Sequence, residues 1–230
     1  MILEKYLVNP FIRFLSSTVC KIEASQLAVV PDKGPLIAVT NHINFLEAPI
    51  LYTRLQPRPV TGFAKTESWD IWWMGKLFDL WGIIPIKRFS ADTQAIRRGL
   101  EALDRGYILA VAPEGTRSGD GVMQKGHPGV VLMALRSGAP ILPIGIHGSE
   151  DFWKNLKRFR RTDFHIEVGR PFVLQSSSPR PDRETRARML DEIMYSIAAL
   201  IPERYRGVYS DLSRATGEHK AYLSSETTSS

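Results

Sequence analysis

Two side chains with proton-handling chemistry stand five positions apart in Asn41-His42-Ile43-Asn44-Phe45-Leu46-Glu47-Ala48-Pro49. Imidazole titrates near neutral pH, and a carboxylate held against one ring nitrogen leaves the other free to accept a proton. On an ideal helix five residues turn about 140° around the axis, so His42 and Glu47 cannot meet inside one helix. Pairing them demands that His42 lie in a loop and Glu47 at or just inside the next helix start. The same residues also spell a capping box, in which Asn44 caps the helix and Glu47, three residues on, reaches back to it. Pro49 weighs against a helix that begins at Asn44, because its ring would fall beyond the first free amides.

A second reactive stretch is Ala112-Pro113-Glu114-Gly115-Thr116-Arg117-Ser118. Arg117 offers a bidentate fork for a phosphate, Thr116 and Ser118 offer hydroxyls, and Gly115 lets backbone amides approach a ligand closely. The bland alternative is an ordinary turn with a surface arginine. Gly82-Ile83-Ile84-Pro85-Ile86-Lys87-Arg88 ends in two cations where an anion could be gripped, although strands often finish in basic residues. His127, just behind the second stretch, reads as structural, and His147, His165 and His219 show no ligand spacing for zinc, so no metal is expected.

The elements that must position these groups are visible as alternating patterns. Residues 36–40, 60–64, 82–86, 108–112 and 141–146 are short apolar runs that read as strands, and residues 48–55, 69–80, 92–105 and 129–137 read as helices. Strands separated by helices of this length predict an α/β fold: a central, mostly parallel mixed sheet flanked by helices, with its site where strands end and loops begin. Residues 164–168 add a late strand and 184–200 a C-terminal helix. At the N-terminus Leu3, Leu7, Phe11, Phe14 and Leu15 share one side, and Asn9-Pro10 reads as a helix cap followed by a first-turn proline. Residues 1–20 are therefore expected as a short amphipathic two-helix segment, residues 21–212 as the α/β domain, and the Ser/Thr-rich residues 213–230 as a disordered tail. The N-terminal stripe suits either packing on the domain or lying in a membrane interface.

Composition narrows the class. The chain of 230 residues carries 30 Lys and Arg against 24 Asp and Glu, a net +6, which suits anionic headgroups or phosphorylated substrates. The basic residues are scattered and form no stripe interleaved with exposed aromatics, so nucleic acid is not an expected partner. One cysteine, Cys20, excludes an internal disulfide framework, and no window is apolar for the length of a membrane span. Trp69, Trp72, Trp73, Phe78 and Trp81 crowd one segment, where rings could border a bilayer or line an acyl channel; for Trp72 and Phe78, packing in the core is the expectation.

Taken together these stretches resemble the glycerophospholipid acyltransferase family. Asn41-His42 followed by four residues and Glu47 is similar to its first motif, Gly82–Arg88 to its second, Pro113–Ser118 to its third and Ile141-Leu142-Pro143-Ile144 to its fourth, in family order. The resemblance implies an acyltransferase that moves a fatty acyl group from acyl-CoA or acyl carrier protein to the free hydroxyl of a lysophospholipid, 1-acylglycerol-3-phosphate first among them, with no cofactor beyond the thioester co-substrate. It implies His42 as general base and Glu47 as the carboxylate that stabilises the imidazolium. Arg117, Arg88 and Lys65 would hold the acceptor phosphate, with Glu114, Gly115 and Thr116 shaping the loop around it. It also implies peripheral or monotopic attachment at the cytoplasmic side of an anionic membrane surface, without a transmembrane helix. One departure is that the family pattern places aspartate where this chain has Glu47, an arm longer by about 1.5 Å. Two rival readings follow: acylation of another lysophospholipid or a glycolipid, or a non-catalytic lipid-binding relative.

Overall fold

A computed structural model describes residues 7–87 and 92–223. Its strands are β1 (Cys20–Glu23), β2 (Leu36–Thr40), β3 (Val60–Lys65), β4 (Ile84–Ile86), β5 (Ile108–Val111), β6 (Ile141–His147), β7 (Thr162–Val168), β8 (Phe172–Leu174) and β9 (Lys220–Tyr222). Its helices are α1 (Asn9–Val19), α2 (Glu47–Arg54), α3 (Trp72–Leu80), α4 (Thr93–Asp104), α5 (Gly129–Ser137), α6 (Phe152–Lys157) and α7 (Arg183–Ala198). The sheet runs β1-β7-β6-β2-β5-β3-β4, with β8 and β9 added beside β6. Strands β6, β2, β5, β3 and β4 are mutually parallel, and β7, β8 and β9 bring the antiparallel pairs. The predicted α/β class and mixed, mostly parallel sheet are what the chain forms.

Burial on both faces explains the apolar runs. Every residue of β2 is buried, as is nearly all of β6, because helices cover the sheet above and below. One face packs against α4, α5 and α7, through residues such as Leu103, Val130 and Ile193. The other carries α2, α6 and α1, through Ile50, Phe152 and the half-buried Ile12. Because the central strands are parallel, the loops after β2, β3, β4 and β5 all leave the same edge. That edge holds the candidate chemistry.

Several local expectations are corrected. Asn9 does not cap α1: Val8 precedes the helix in helical geometry, and the buried Asn9 side chain instead accepts a 3.0 Å hydrogen bond from Trp81 Nε1. Residues 1–6 of the N-terminal segment, including Leu3, lie outside the described residues. Trp72, expected in the core, is 78% exposed, while Trp81 is buried and stacks on Tyr52 with ring centroids 4.2 Å apart. The reason is the footing of α3, which rests on Leu77 and Trp81 and so turns its first-turn tryptophans outward. Phe78 is half-buried, edge-on to Trp69. Of the stretch read as a tail, residues 220–222 pair as β9 with β8, and residues 224–230 lie outside the described residues.

Candidate functional site

The site begins where β2 stops. Thr40 is the last residue of the strand, and Asn41 prolongs its pairing by side chain: Nδ2 donates to Ile146 O and Oδ1 accepts from Ile146 N–H, both at 2.8 Å. This amide clamps the start of the next loop to β6, so His42 leaves the sheet from a fixed point. The sequence offered Asn41 only as a letter beside the histidine. Its role needs the neighbouring strand, which is 105 residues away in the chain.

His42 lies in the loop and Glu47 opens α2, as the pairing requires. Their contact is direct, with His42 Nδ1 2.7 Å from Glu47 Oε2. An ionised carboxylate only accepts, so the proton sits on Nδ1 and Nε2 keeps its lone pair. The imidazole is partly open to solvent and Glu47 is 2% exposed. The other oxygen of the carboxylate, Oε1, accepts the Asn44 backbone N–H at 2.8 Å, and Asn44 Oδ1 accepts the Leu46 N–H at 2.9 Å. These bonds tighten the turn before α2, whose N-cap is Leu46 and not Asn44, and they do not compete with the imidazole contact. A carboxylate has two oxygens, and each contact uses one.

The second stretch is stitched onto this loop. Ser118 N–H donates to His42 O at 2.8 Å and Gly119 N–H to Ile43 O at 2.9 Å. Beneath them Glu114 is buried, Oε1 accepting the His42 N–H at 2.9 Å and Oε2 the Gln124 N–H at 2.7 Å. Burial pushes its carboxyl up to about 7, against the two backbone donors that pull it down, with the Glu47 charge adding to the rise. Glu114 therefore touches the backbone of His42 and holds the two loops together; it offers no face to a substrate. Gly115 has φ of +68°, a left-handed backbone in which a side chain would be strained, and a Cβ there would come 3.3 Å from the His127 ring. His127 is exposed behind the loop, and its backbone N–H donates to Pro113 O at 2.8 Å.

The cations sit at the same edge without being tied down. Lys65 is the exposed last residue of β3, two strands from β2 in the sheet, roughly 10 Å by strand spacing. Arg117 is exposed one residue before the Ser118 amide that binds His42 O, with Thr116 half-buried beside it. Among the described residues, neither Lys65 nor Arg117 has an ion-pair partner. Arg88 lies outside the described residues. Asn44, read in the sequence only as a helix cap, donates from Nδ2 to Ser149 O at 2.8 Å and so ties the His42 loop to the turn after β6. The arrangement is a proton acceptor, oriented by a buried carboxylate, facing an edge with unpaired cations. Chemically it suits deprotonation of a hydroxyl on an anionic molecule.

Comparison with known proteins bears on that chemistry. A sequence model described as acyltransferase matches residues 21–147. The chain is 31% identical over 133 residues to a chloroplastic 1-acyl-sn-glycerol-3-phosphate acyltransferase of Brassica napus, covering 56% of this chain and 38% of that one. It is 30% identical over 161 residues to a lyso-ornithine lipid O-acyltransferase of Pseudomonas aeruginosa, covering 62% of this chain and 61% of that one. The chain thus spans less than two thirds of the length of each of these relatives. Its fold is similar to the crystal structure of the 1-acyl-sn-glycerophosphate acyltransferase of Thermotoga maritima, with a TM-score of 0.60 at 20% identity, covering 84% of this chain and 76% of that one.

Proposed function

The chain belongs to the acyltransferase family, and from that premise we propose that it transfers a fatty acyl group from a thioester to the free hydroxyl of a lysophospholipid, 1-acylglycerol-3-phosphate being the acceptor that the cations suit best. The observation that carries the reading is the 2.7 Å pair of His42 Nδ1 and buried Glu47 Oε2, which leaves Nε2 as the available base. Nε2 takes the acceptor's hydroxyl proton as the oxygen attacks the thioester carbonyl, and Glu47 stabilises the imidazolium. The tetrahedral intermediate collapses to ester and thiolate, and the imidazolium returns its proton to the sulfur. Acyl-CoA and acyl carrier protein both present this thioester, and no further cofactor enters. General-base help of this kind is worth about 10²–10⁴ in rate. Arg117 and Lys65 hold the acceptor's phosphate, with Arg88 a third cation on sequence grounds, while Thr116 and Gly115 shape the phosphate loop and Glu114 positions it.

Membrane attachment is part of the same proposal. Phe11, Phe14 and Leu15 of α1 are exposed, and no helix among the described residues is long and apolar enough to cross a bilayer. A peripheral chain on the cytoplasmic side, taking lysophospholipid from one leaflet, fits this surface.

The relative named as a lyso-ornithine lipid O-acyltransferase supports a second acceptor class, built on the amino acid ornithine. A panel of acceptors offered with one acyl-CoA, and thiol release as the readout, separates the two. Turnover confined to phosphate-bearing acceptors and abolished in His42→Ala is the expected result. Equal turnover without a phosphate removes the roles given to Lys65, Arg88 and Arg117, and unchanged turnover in His42→Ala removes the mechanism.

A further inference from the structure

The described residues expose their large apolar side chains asymmetrically. On the sheet face covered by α4, α5 and α7, those three helices expose none of them, whereas α1, α3, α6 and the entry to α2 expose many. Within that second face, residues 152–161 stand apart by charge. They hold five cations, Lys154, Lys157, Arg158, Arg160 and Arg161, and no carboxylate. The tryptophan-bearing residues 65–79 hold two cations and three carboxylates, so they offer apolar surface without the charge. Lys154 pairs with Asp151 at 3.4 Å, and Arg161 donates to Ser17 O and Cys20 O, but Lys157, Arg158 and Arg160 are exposed and form no ion pair among the described residues.

The tip of this segment is Phe159, 99% exposed and with φ of +53°. It closes α6 as the left-handed residue of a Schellman turn: its N–H donates to Leu156 O at 3.1 Å and the Arg160 N–H to Asn155 O at 2.9 Å. Glycine fills that position without strain, and phenylalanine there brings a steric cost with no packing in return. Trp153 and Leu156 of α6 are exposed on either side. The segment is anchored at both ends. Trp153 and the buried Phe152 lie 5.5 Å and 5.6 Å from the Phe45 ring, three residues beyond His42, and Arg161 grips the C-terminal end of α1, whose own aromatic stripe is exposed.

We propose that residues 152–161 are a second docking element for an anionic bilayer, Phe159, Trp153 and Leu156 entering the acyl boundary while Lys157, Arg158 and Arg160 lie among the headgroups. Charge complementarity names the partner, and the lone protruding ring decides between bilayer and protein. An acidic protein would satisfy the cations but would need a shaped pocket for Phe159, whereas hydrocarbon takes it anywhere. Docked through this segment and α1 together, the chain would turn Phe45, and with it the loop of His42, toward the leaflet.

The inference extends the peripheral reading above, and its readout is binding, so it stands or falls separately from turnover. Full-length chain is sedimented with vesicles of phosphatidylcholine, and of phosphatidylcholine mixed equally with phosphatidylglycerol. Phe159→Gly should lower partition into mixed vesicles by roughly tenfold, from the burial lost by one aromatic ring, while its thermal midpoint stays level or rises. Joint replacement of Lys157, Arg158 and Arg160 by alanine should lower it about a hundredfold, from three cations at the surface, and erase the preference for mixed vesicles. Joint replacement of Arg97, Arg98 and Arg105, on and beside α4 at the opposite face, removes equal charge and should leave partition near wild type. The proposal is overturned by equal loss in both triple variants, or by unchanged partition in Phe159→Gly. A dimer, or a complex with acidic carrier protein, that Phe159→Gly abolishes while partition holds would give the surface to that partner instead.

Discussion

Replacing Glu47 by aspartate puts into this chain the residue found at that place in the family pattern, and the geometry here says that it will harm the proposed acyl transfer. Both carboxylate oxygens are committed, Oε2 to His42 Nδ1 at 2.7 Å and Oε1 to the Asn44 N–H at 2.8 Å. Shortening the arm by about 1.5 Å, with α2 in place, stretches the first contact beyond the reach of a hydrogen bond. A hydrogen bond to a charged group is worth about 1.5–3 kcal/mol, and each 1.36 kcal/mol is tenfold in rate. Since the imidazolium exists only as the hydroxyl is attacked, the loss should fall on kcat, by roughly 10- to 150-fold, with KM for the acceptor little changed. Glu47→Gln should do at least as badly. An amide cannot accept from both Nδ1–H and the Asn44 N–H, and it carries no charge to set against the imidazolium. Steady-state thiol release from acyl-CoA with saturating 1-acylglycerol-3-phosphate measures each variant. Wild-type or better kcat in Glu47→Asp would refute the reasoning, because it would mean that the longer arm is not what sets the histidine.

Arg117→Ala should raise KM for a phosphate-bearing acceptor by about 10- to 100-fold, the worth of a charge-assisted contact, with a smaller change for a neutral acceptor; Arg117→Lys should recover only part, having lost the planar fork. Glu114 supplies a test in stability. Its carboxyl ordinarily releases its proton near 4.5, as it does in the unfolded chain, but burial holds the proton to about 7 in the folded one. The group therefore favours the folded state at low pH, fully below 4.5, and that contribution is lost as pH rises through about 7. Urea unfolding compared at pH 4.5 and pH 8 should show wild type losing more stability than Glu114→Gln, by up to about 3 kcal/mol. Parallel curves for the two would show that burial does not bias this carboxyl. At low pH the variant should already be weaker by about 1–3 kcal/mol, because its amide accepts from only one of the His42 and Gln124 amides.

How much of this was legible in advance divides along a physical line. The five parallel strands, the helices between them and the C-terminal helix were readable because a strand buried on both faces must be apolar throughout, and a covering helix must be apolar on one side. Those are constraints on neighbours in sequence. The loop position of His42 and the helix-start position of Glu47 followed likewise from the turn per residue. The short strands β1, β8 and β9 escaped because runs of three or four residues leave too little pattern. Whether a given side chain faces in or out was also beyond local pattern. Trp72 and Trp81 look alike in their segment, and only the footing of α3 turns one outward and seats the other on Tyr52. The site was decided the same way. Residue types and order announced a base, a carboxylate and an anion-binding loop, all local information. That Asn41 clamps to β6 and that Glu114 supports His42 from beneath depend on contacts 105 and 72 residues apart in the chain, which exist only once the sheet has brought its strand ends together.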